Sequence, residues 1–258
     1  MIYALLIPVV AAVVYISYAI VLWSVGQRGN AIMYVEKAIE IPLMLAVNGT
    51  IFWATNLIII SVSEGKLGDI WSAWNSMELS ATRFKTIKEY CIGWVLYSGT
   101  VRSIIASTPV LSGFAEAFSA ATFWSNMVLS TAATSFLFLE YLTYLLNSIK
   151  DWLLSLGVTL TPVDKLRRLG GWLLSIYLVY GTAIPLIALN IPPDLSPPGL
   201  PDYFNPVKWI IAADLMAKAA YTVIGPLVVS VTGLAIASAV AAGISSMIGG
   251  IGLTLKWI

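Results

Sequence analysis

The sequence has 258 residues, of which 59% are hydrophobic and only 10% are charged, and its mean hydropathy is +0.88. Soluble domains carry about 25% charged residues, so this composition excludes a soluble globular protein and predicts a polytopic membrane protein. The chain contains no histidine and one cysteine, Cys91. This excludes histidine-ligated metals, histidine bases, cysteine-ligated iron–sulfur clusters and internal disulfides. The net charge is only +1, so the protein as a whole has no strong positive potential that would attract nucleic acid.

Long apolar stretches predict an all-α transmembrane helix bundle with six to seven spans, because about 20 apolar residues cross the hydrocarbon core. In chain order the stretches are approximately 2–25, 41–63, 91–111, 120–146, 171–190 and 208–258. The last stretch, 208–258, is too long for one span and too short for two spans joined by a loop. It therefore forms one broken helix or two, with Pro226 and the Gly249–Gly250 pair as break points. We expect residues 1–258 to form a single integral membrane domain.

Basic residues in the connecting segments predict the orientation of the chain. Segments 64–90 and 147–170 together carry eight Lys and Arg residues, whereas the loops 26–40, 112–119 and 191–207 carry two. Loops rich in Lys and Arg remain in the cytoplasm. We therefore expect a multi-pass protein of the cytoplasmic membrane with a cytoplasmic N-terminus and an external proline-rich loop at 191–207.

Two segments have the pattern of amphipathic helices that lie in the membrane interface. In 64–90, apolar side chains recur every three or four positions, at Leu67, Ile70, Trp71, Trp74, Met77, Ala81 and Phe84. Residues 149–156 show a shorter version of the pattern. The apolar face either docks on the membrane surface or packs against the protein's own helices, and the sequence leaves both alternatives open.

Four ionisable residues fall at predicted membrane depth, where a charge costs about 2.5–3.5 kcal/mol. Arg102 lies in the third span and Glu140 in the fourth, and their depths differ by about 7–8 Å. We therefore expect an Arg102–Glu140 pair, which either fixes the helix register or forms a polar step in a transport path. Asp214 and Lys218 are four residues apart, so they share a helix face and neutralise each other. If the last span starts near Phe204, Lys218 lies close to mid-depth, and if it starts near Lys218, both residues form an ion pair at the external interface.

The remaining polar and small residues in the spans predict helix packing. Asn48 and Asn56 of the second span are expected to donate or accept hydrogen bonds across helices. The last stretch carries small residues at a strict spacing of four, at Gly233, Ala237, Ala241, Ser245 and Gly249. This spacing makes a smooth ridge that another backbone can approach closely. The ridge either packs inside the bundle or serves self-association or a pore lining.

The sequence contains no Walker A, Rossmann or Gly-x-Ser-x-Gly pattern. We therefore expect no enzymatic activity, no catalytic residue, no metal and no cofactor. Energy for any transport would come from a partner, an ion gradient or light. One alternative function is a small ion-coupled transporter that uses Arg102 and Glu140.

The stretch 210–221, IIAADLMAKAAY, resembles the retinal-attachment helix of microbial rhodopsins. The matching positions are Asp214, Ala217, Lys218 and Tyr221. The resemblance implies a retinal-binding photoreceptor or pump, with the Schiff base on Lys218 and Asp214 in its counterion. The rest of the chain departs from that family, which has six spans before the lysine helix and an Arg-x-x-Asp-Trp segment in the third. Here we predict five earlier spans, and Ser-Ile-Ile-Ala follows Arg102.

In the C-terminal half, a basic segment is followed by GGWLLSIYLVYGTAIPLIALNIPP, then YFNPVKW, then a helix rich in small residues. Over about 90 residues this order resembles the polytopic membrane-channel subunit of type IV secretion and conjugation systems. The matching positions are Gly181, Pro185, Pro192, Pro193, Phe204 and Trp209.

In size and span number the chain is similar to the membrane subunit of the archaeal Ced DNA-import machinery. The resemblance implies a non-enzymatic channel or assembly subunit that takes part in DNA transfer or import. The implied partners are membrane lipids, small pilin-like membrane proteins and a separate cytoplasmic ATPase, with a homo-oligomer as an additional option. It implies no catalytic residues, and this is the leading hypothesis.

Overall fold

The computed structural model describes residues 2–109, 111–163, 165–199 and 206–250, with the side chains of 2–7, 206–210 and 250 left out. All regular structure in these ranges is helical, which confirms the predicted all-α fold. The helices are α1 (Ile2–Ser24), α2 (Arg28–Val62), α3 (Ile70–Asn75), α4 (Met77–Ser107), α5 (Ser112–Leu160), α6 (Arg167–Leu189) and α7 (Pro206–Gly250). By length and composition α2, α5, α6 and α7 can each cross a membrane, as expected of a membrane protein.

Contacts divide the chain into two compact units. Unit 1 consists of Met1–Asn75, Ser148–Ala183 and Ala235–Ile258. Unit 2 consists of Ser76–Asn147 and Ile184–Leu234. The helices α5, α6 and α7 each contribute residues to both units.

Several helices continue beyond the limits of the predicted spans. Helix α2 begins at Arg28 and α5 begins at Ser112, so the prediction of loops at 26–40 and 112–119 is wrong. With 49 residues, α5 is about 73 Å long, more than twice the roughly 30 Å hydrocarbon core. An apolar stretch marks the part of a helix that lipid can surround. The helix itself continues beyond that part, because charged residues such as Glu and Lys are good helix formers.

Helix α7 is continuous over the described part of the predicted stretch 208–258. Pro226 lies inside the helix, and the Ser230 hydroxyl donates a 2.7 Å hydrogen bond to the Pro226 carbonyl one turn earlier. The described residues therefore form one helix rather than two. Residues 251–258 lie outside the described residues.

The apolar face of segment 64–90 packs against the protein. Most of its members are almost fully buried: Leu67, Ile70, Trp74, Met77, Ala81 and Phe84. Trp71 is the partly exposed exception. In unit 1 the Trp74 ring stacks on Tyr177 with 4.8 Å between ring centroids. Internal packing, rather than membrane docking, therefore accounts for this amphipathic pattern. Residues 149–156 are mixed, since Leu153 is buried and Trp152 is exposed.

Two contacts in unit 2 contradict the predicted sidedness of the chain. Arg83 Nη1 donates a 3.0 Å hydrogen bond to the Ala188 carbonyl at the end of α6. A Cβ added to Gly93 would lie 2.8 Å from Pro197 Cβ, so the proline-rich segment lies directly against α4. The prediction put Arg83 and Gly93 at or near the cytoplasmic face, and Ala188 and Pro197 at or near the external face, of a core about 30 Å thick. Residues in direct contact cannot be separated in this way, and that part of the prediction is wrong.

Candidate functional site

The predicted Arg102–Glu140 pair is absent, because Glu140 pairs with Lys88 in unit 2. Lys88 Nζ lies 2.6 Å from Glu140 Oε2, and the two side chains are 15% and 10% exposed. Arg102 is exposed and lies fourteen residues further along α4, a distance of about 21 Å. The predicted pair and the polar transport step that it would form are therefore not present.

The cause of the error is the register between α4 and α5. Besides the ion pair, the Ser98 hydroxyl donates a 2.9 Å hydrogen bond to Asn126 Oδ1. These two links define an antiparallel pair of helices that turns between Ser107 and Ser112. Arg102 therefore lies close to the turn, whereas Glu140 lies far from it. The prediction counted the membrane depth of Arg102 and Glu140 from the ends of the apolar stretches. This placed α4 and α5 in the wrong register relative to each other.

Lys88 stays charged in this environment. Its hydrogen bond with Glu140 raises the pKa of Lys88 above the usual 10.5, burial opposes this, and the charges of Glu140 and Glu89 raise the pKa further. Lys88 precedes the predicted span 91–111 and is not on a helix that can cross a membrane by length and composition.

A groove of about 370 Å³ lies beside Lys88 between α4 and α5. It is lined by Lys88, Ile92, Val95, Leu96, Ser130, Ala133, Thr134 and Leu137. The Thr134 hydroxyl donates to the Ser130 carbonyl within α5. The lining is mainly apolar with one ammonium at its edge, so the groove provides space but no constellation of groups for acid–base or nucleophilic chemistry.

Unit 1 contains a buried polar cluster that sequence reasoning found only in part. Arg167 forms an ion pair with Glu40 and donates from Nε to the Thr161 carbonyl at 3.2 Å. Asn48 Nδ2 donates to Thr161 Oγ1 at 3.3 Å, while Asn48 Oδ1 is buried without a hydrogen-bond partner. The cluster ties α2 to the turn between α5 and α6.

Both asparagines make hydrogen bonds to other segments of the chain, as predicted, although the partner of Asn48 lies in a turn and not in a helix. Asn48 bonds to Thr161 as described, and Asn56 Oδ1 accepts a 3.1 Å hydrogen bond from the Ile70 backbone N–H. The Glu40–Arg167 pair was missed because both residues were assigned to connecting segments. A signal was present, since Glu40 lies at the edge of the apolar run of α2 and a charge at such a position needs a partner.

Asp214 and Lys218 lie on the outer face of α7 in unit 2. Lys218 Nζ is 2.7 Å from Asp214 Oδ2, and the two side chains are 69% and 62% exposed. Both lie on α7, which can cross a membrane by length and composition. A retinal Schiff-base lysine needs an enclosed apolar pocket, so the exposed Lys218 does not fit that cofactor.

The predicted ridge of small residues is the face that α7 presents to α6. In unit 1, Ala237 and Ala241 pack with Val179, Tyr180 and Ser238 share a 2.8 Å hydrogen bond, and a Cβ on Gly249 would lie 3.4 Å from Arg168 Cγ. A Cβ on Gly171 would lie 3.4 Å from the Ser245 carbonyl oxygen. In unit 2, a Cβ on Gly233 would lie 3.0 Å from Ile187. Of the alternatives left open, internal packing accounts for the ridge.

No family model, curated protein or solved structure matches the chain. Within the described ranges, no group of three or more Cys, Asp and Glu residues is placed to hold a metal ion. Three of the described ion pairs differ in their surroundings. Lys88–Glu140 and Glu40–Arg167 are buried pairs inside a unit, whereas Asp214 and Lys218 form a pair that faces outward from an apolar helix.

Proposed function

We propose that this protein is a non-enzymatic membrane subunit of a macromolecular translocation assembly. The observation that carries the proposal is the outward-facing Asp214–Lys218 pair on α7, a helix that is long and apolar enough to cross a membrane. Ionisable groups in membrane-spanning helices almost always face protein or a water-filled cavity rather than lipid. An exposed pair on such a helix is therefore a surface that another subunit covers or that borders an aqueous path.

DNA is the proposed cargo, and its support is the resemblance to channel subunits of type IV secretion and conjugation systems. Among the matching positions, Gly181 and Pro185 lie in α6, and Pro192 and Pro193 follow it. Phe204 lies outside the described residues, and the Trp209 side chain is not described. The proposed partners are small pilin-like membrane proteins and a separate cytoplasmic ATPase, because the sequence carries no nucleotide-binding motif of its own.

We also propose a multi-pass arrangement in the cytoplasmic membrane with the N-terminus in the cytoplasm. Its support is the basic segment 147–170, which holds Lys150, Lys165, Arg167 and Arg168 and is favoured on the cytoplasmic side. Reporter fusions at the N-terminus and in the turn at 161–166 test the orientation. A reporter that is active only outside the cell at either position would contradict it.

The assembly is tested by removing the outward charges without a change of side-chain length. In the native host, Asp214→Asn combined with Lys218→Met should abolish the large complex on a native gel and reduce DNA transfer. The matched control is Lys85→Met with Glu89→Gln, because that i,i+4 pair on α4 is also exposed, at 53% and 56%, and lies outside the helices that can cross a membrane.

The outcomes of these experiments test the assembly role of the α7 surface and the proposed DNA cargo separately. A complex that persists without the Asp214 and Lys218 charges contradicts the assembly role of this surface. DNA transfer that is unchanged after deletion of the whole gene contradicts the proposed cargo. Loss of transfer in the control variant as well would show that exposed charges matter generally, and would contradict the specific role of α7.

A further inference from the structure

The proline-rich segment that follows α6 lies along α4 in unit 2 as a non-helical strap. We call residues 192–199 the strap. Just before it, the Ala188 carbonyl accepts the hydrogen bond from Arg83. Within it, Pro197 contacts α4, since a Cβ added to Gly93 would lie 2.8 Å from Pro197 Cβ. The two contact points on α4 are ten residues apart, so the chain follows α4 for about 15 Å.

Helix α5 provides the side of unit 2 that suits lipid. It has no charged residue from 117 to 139, and this stretch extends over about 35 Å, enough to cross the roughly 30 Å hydrocarbon core. Its outer face carries large exposed apolar side chains, such as Met127 and Phe138. The Thr131 and Thr134 hydroxyls on the same face donate to carbonyls of their own helix, so they are satisfied without water.

Two links between α4 and α5 set the level of the strap against this uncharged stretch. Lys88 pairs with Glu140, and Ser98 bonds to Asn126. Gly93 is midway between the two α4 residues, so it lies about 8 Å beyond the level of the ion pair. The uncharged stretch of α5 begins directly next to Glu140. The contact between the strap and Gly93 is therefore at the depth of the hydrocarbon core if α5 crosses the membrane.

The strap is not suited to face hydrocarbon at this depth. Among the described residues, none forms a hydrogen bond with the backbone of 192–199. Asp194 and Ser196 are exposed, and Asp194 has no ion-pair partner within the described ranges. Non-helical backbone occurs at membrane depth only where it is buried in protein or lines a water-filled cavity. The exposed strap is not buried in this chain.

The side of α4 that meets the strap is also polar. From residue 86 to residue 100, the positions within about 40° of Gly93 around the helix are Thr86, Glu89, Tyr97 and Thr100. Each of these side chains carries a hydroxyl or a carboxylate, and Glu89 is exposed. Polar groups on α4 and unbonded backbone on the strap therefore lie on one side of unit 2, while the outer face of α5 is apolar.

We propose that the strap borders a water-filled crevice that reaches the depth of the hydrocarbon core on the α4 side of unit 2. Water satisfies the free backbone groups and the Asp194 and Glu89 carboxylates together, without a surface that matches each of them. The inference rests on the proposed multi-pass arrangement, because it requires α5 to cross the membrane. It deepens that arrangement by identifying a surface of the chain that borders water within it.

Thiol labelling in native membranes tests the crevice with two positions at similar depth. Ser196→Cys places a thiol on the strap, next to Pro197. Thr134→Cys is the matched control, because Thr134 is exposed on the outer face of α5, close to the level of Gly93. The membranes are opened, so that a charged maleimide that does not enter lipid reaches both faces. The wild-type chain, whose Cys91 is buried, gives the background.

The strap thiol should be the reactive one. The thiolate is the form that reacts and apolar surroundings disfavour it, so Ser196→Cys should react about tenfold faster or more than Thr134→Cys. Labelling after denaturation gives the total thiol of each variant. Asp194→Cys, at a second exposed position of the strap, should react like Ser196→Cys and replaces it if that variant does not accumulate in the membrane.

Three other outcomes overturn the proposal. Equal labelling of the strap and control thiols would show that unit 2 lies outside the membrane, which contradicts both the crevice and the passage of α5. Protection of both thiols in membranes, with rapid labelling of Ser196→Cys in detergent, would show that lipid or another protein covers the strap. Faster labelling of Thr134→Cys would place water on the α5 side instead.

The result also distinguishes this inference from the proposed assembly and cargo. If both thiols are protected while the native complex is lost on removal of the Asp214 and Lys218 charges, the crevice is wrong and the assembly role stands. If Ser196→Cys alone is labelled but deletion of the gene leaves DNA transfer unchanged, the crevice stands and the proposed cargo is wrong.

Discussion

The Lys88 ammonium and the Glu140 carboxylate form a 2.6 Å ion pair that joins α4 to α5. Burial of both side chains removes each charge from water, and each is stable there only because the other is present. Together with the Ser98–Asn126 hydrogen bond, the pair fixes the register of the two helices. Charged residues in an apolar chain are often candidates for a transport path, but here this pair is a structural link within unit 2.

Removing one member of the pair should be strongly destabilising. Glu140→Gln leaves the Lys88 ammonium without its counter-charge, and loss of one partner of a buried pair costs about 3–5 kcal/mol. The double variant Lys88→Met with Glu140→Leu should recover most of the loss, because no buried charge remains. Reversible unfolding in mixed micelles gives the free energies.

The control for this prediction is the exposed pair of Lys85 and Glu89, whose charged atoms are 3.9 Å apart. Its removal should change stability by less than about 1 kcal/mol. If Glu140→Gln lowers the free energy of unfolding no more than removal of the Lys85 and Glu89 charges does, the Lys88–Glu140 pair does not hold α4 and α5 together as predicted.

The same pair predicts a loss of stability at high pH. The pKa of Lys88 is raised above its usual 10.5 by the hydrogen bond with Glu140. A raised pKa in the folded state means that the contribution of the pair is fully present below pH 10.5 and is lost as the pH rises through the higher folded value. The melting temperature of the wild type should therefore fall in this window more steeply than that of Lys88→Met. Parallel pH profiles of the two proteins would contradict the expectation.

Gly181 is predicted to tolerate no side chain. A Cβ at this position would overlap the Trp74 indole, which is buried and stacked on Tyr177. Gly181→Ala should therefore destabilise unit 1 by about 1–3 kcal/mol, the usual cost of an overpacked core, and should shift the Trp74 fluorescence. Gly49→Ala in α2 is the matched control, because a Cβ there meets nothing within 4 Å. The control should be neutral or stabilising, since Ala is favoured over Gly inside helices.

The fold class and the membrane character of the chain follow from composition alone, but the pairing of charges does not. The i,i+4 relation of Asp214 and Lys218 was predictable because it is set within one helix. The partners of Glu140 and Arg167 lie on other helices, 52 and 127 residues away in sequence, and depend on the register between those helices. That register depends on where the helices end. Hydropathy shows where the apolar region of a helix ends, which is not where the helix itself ends. Small residues predicted close packing of α7 without indicating which helix it would contact.

The ridge of small residues on α7 should be far less tolerant of large side chains than the opposite face. Ala237 is 3% exposed and packs against Val179 of α6 in unit 1, so Ala237→Leu forces the two helices apart and should cost about 1–3 kcal/mol. Ala239 is two residues away on the exposed face, and Ala239→Leu should leave the unfolding free energy of the monomer unchanged. Both changes add the same atoms to the same helix, so helix propensity and detergent binding are matched. The free energy of unfolding of both variants is measured in detergent at low protein concentration. Equal values for Ala237→Leu and Ala239→Leu would show that the α6–α7 contact does not determine the stability of unit 1.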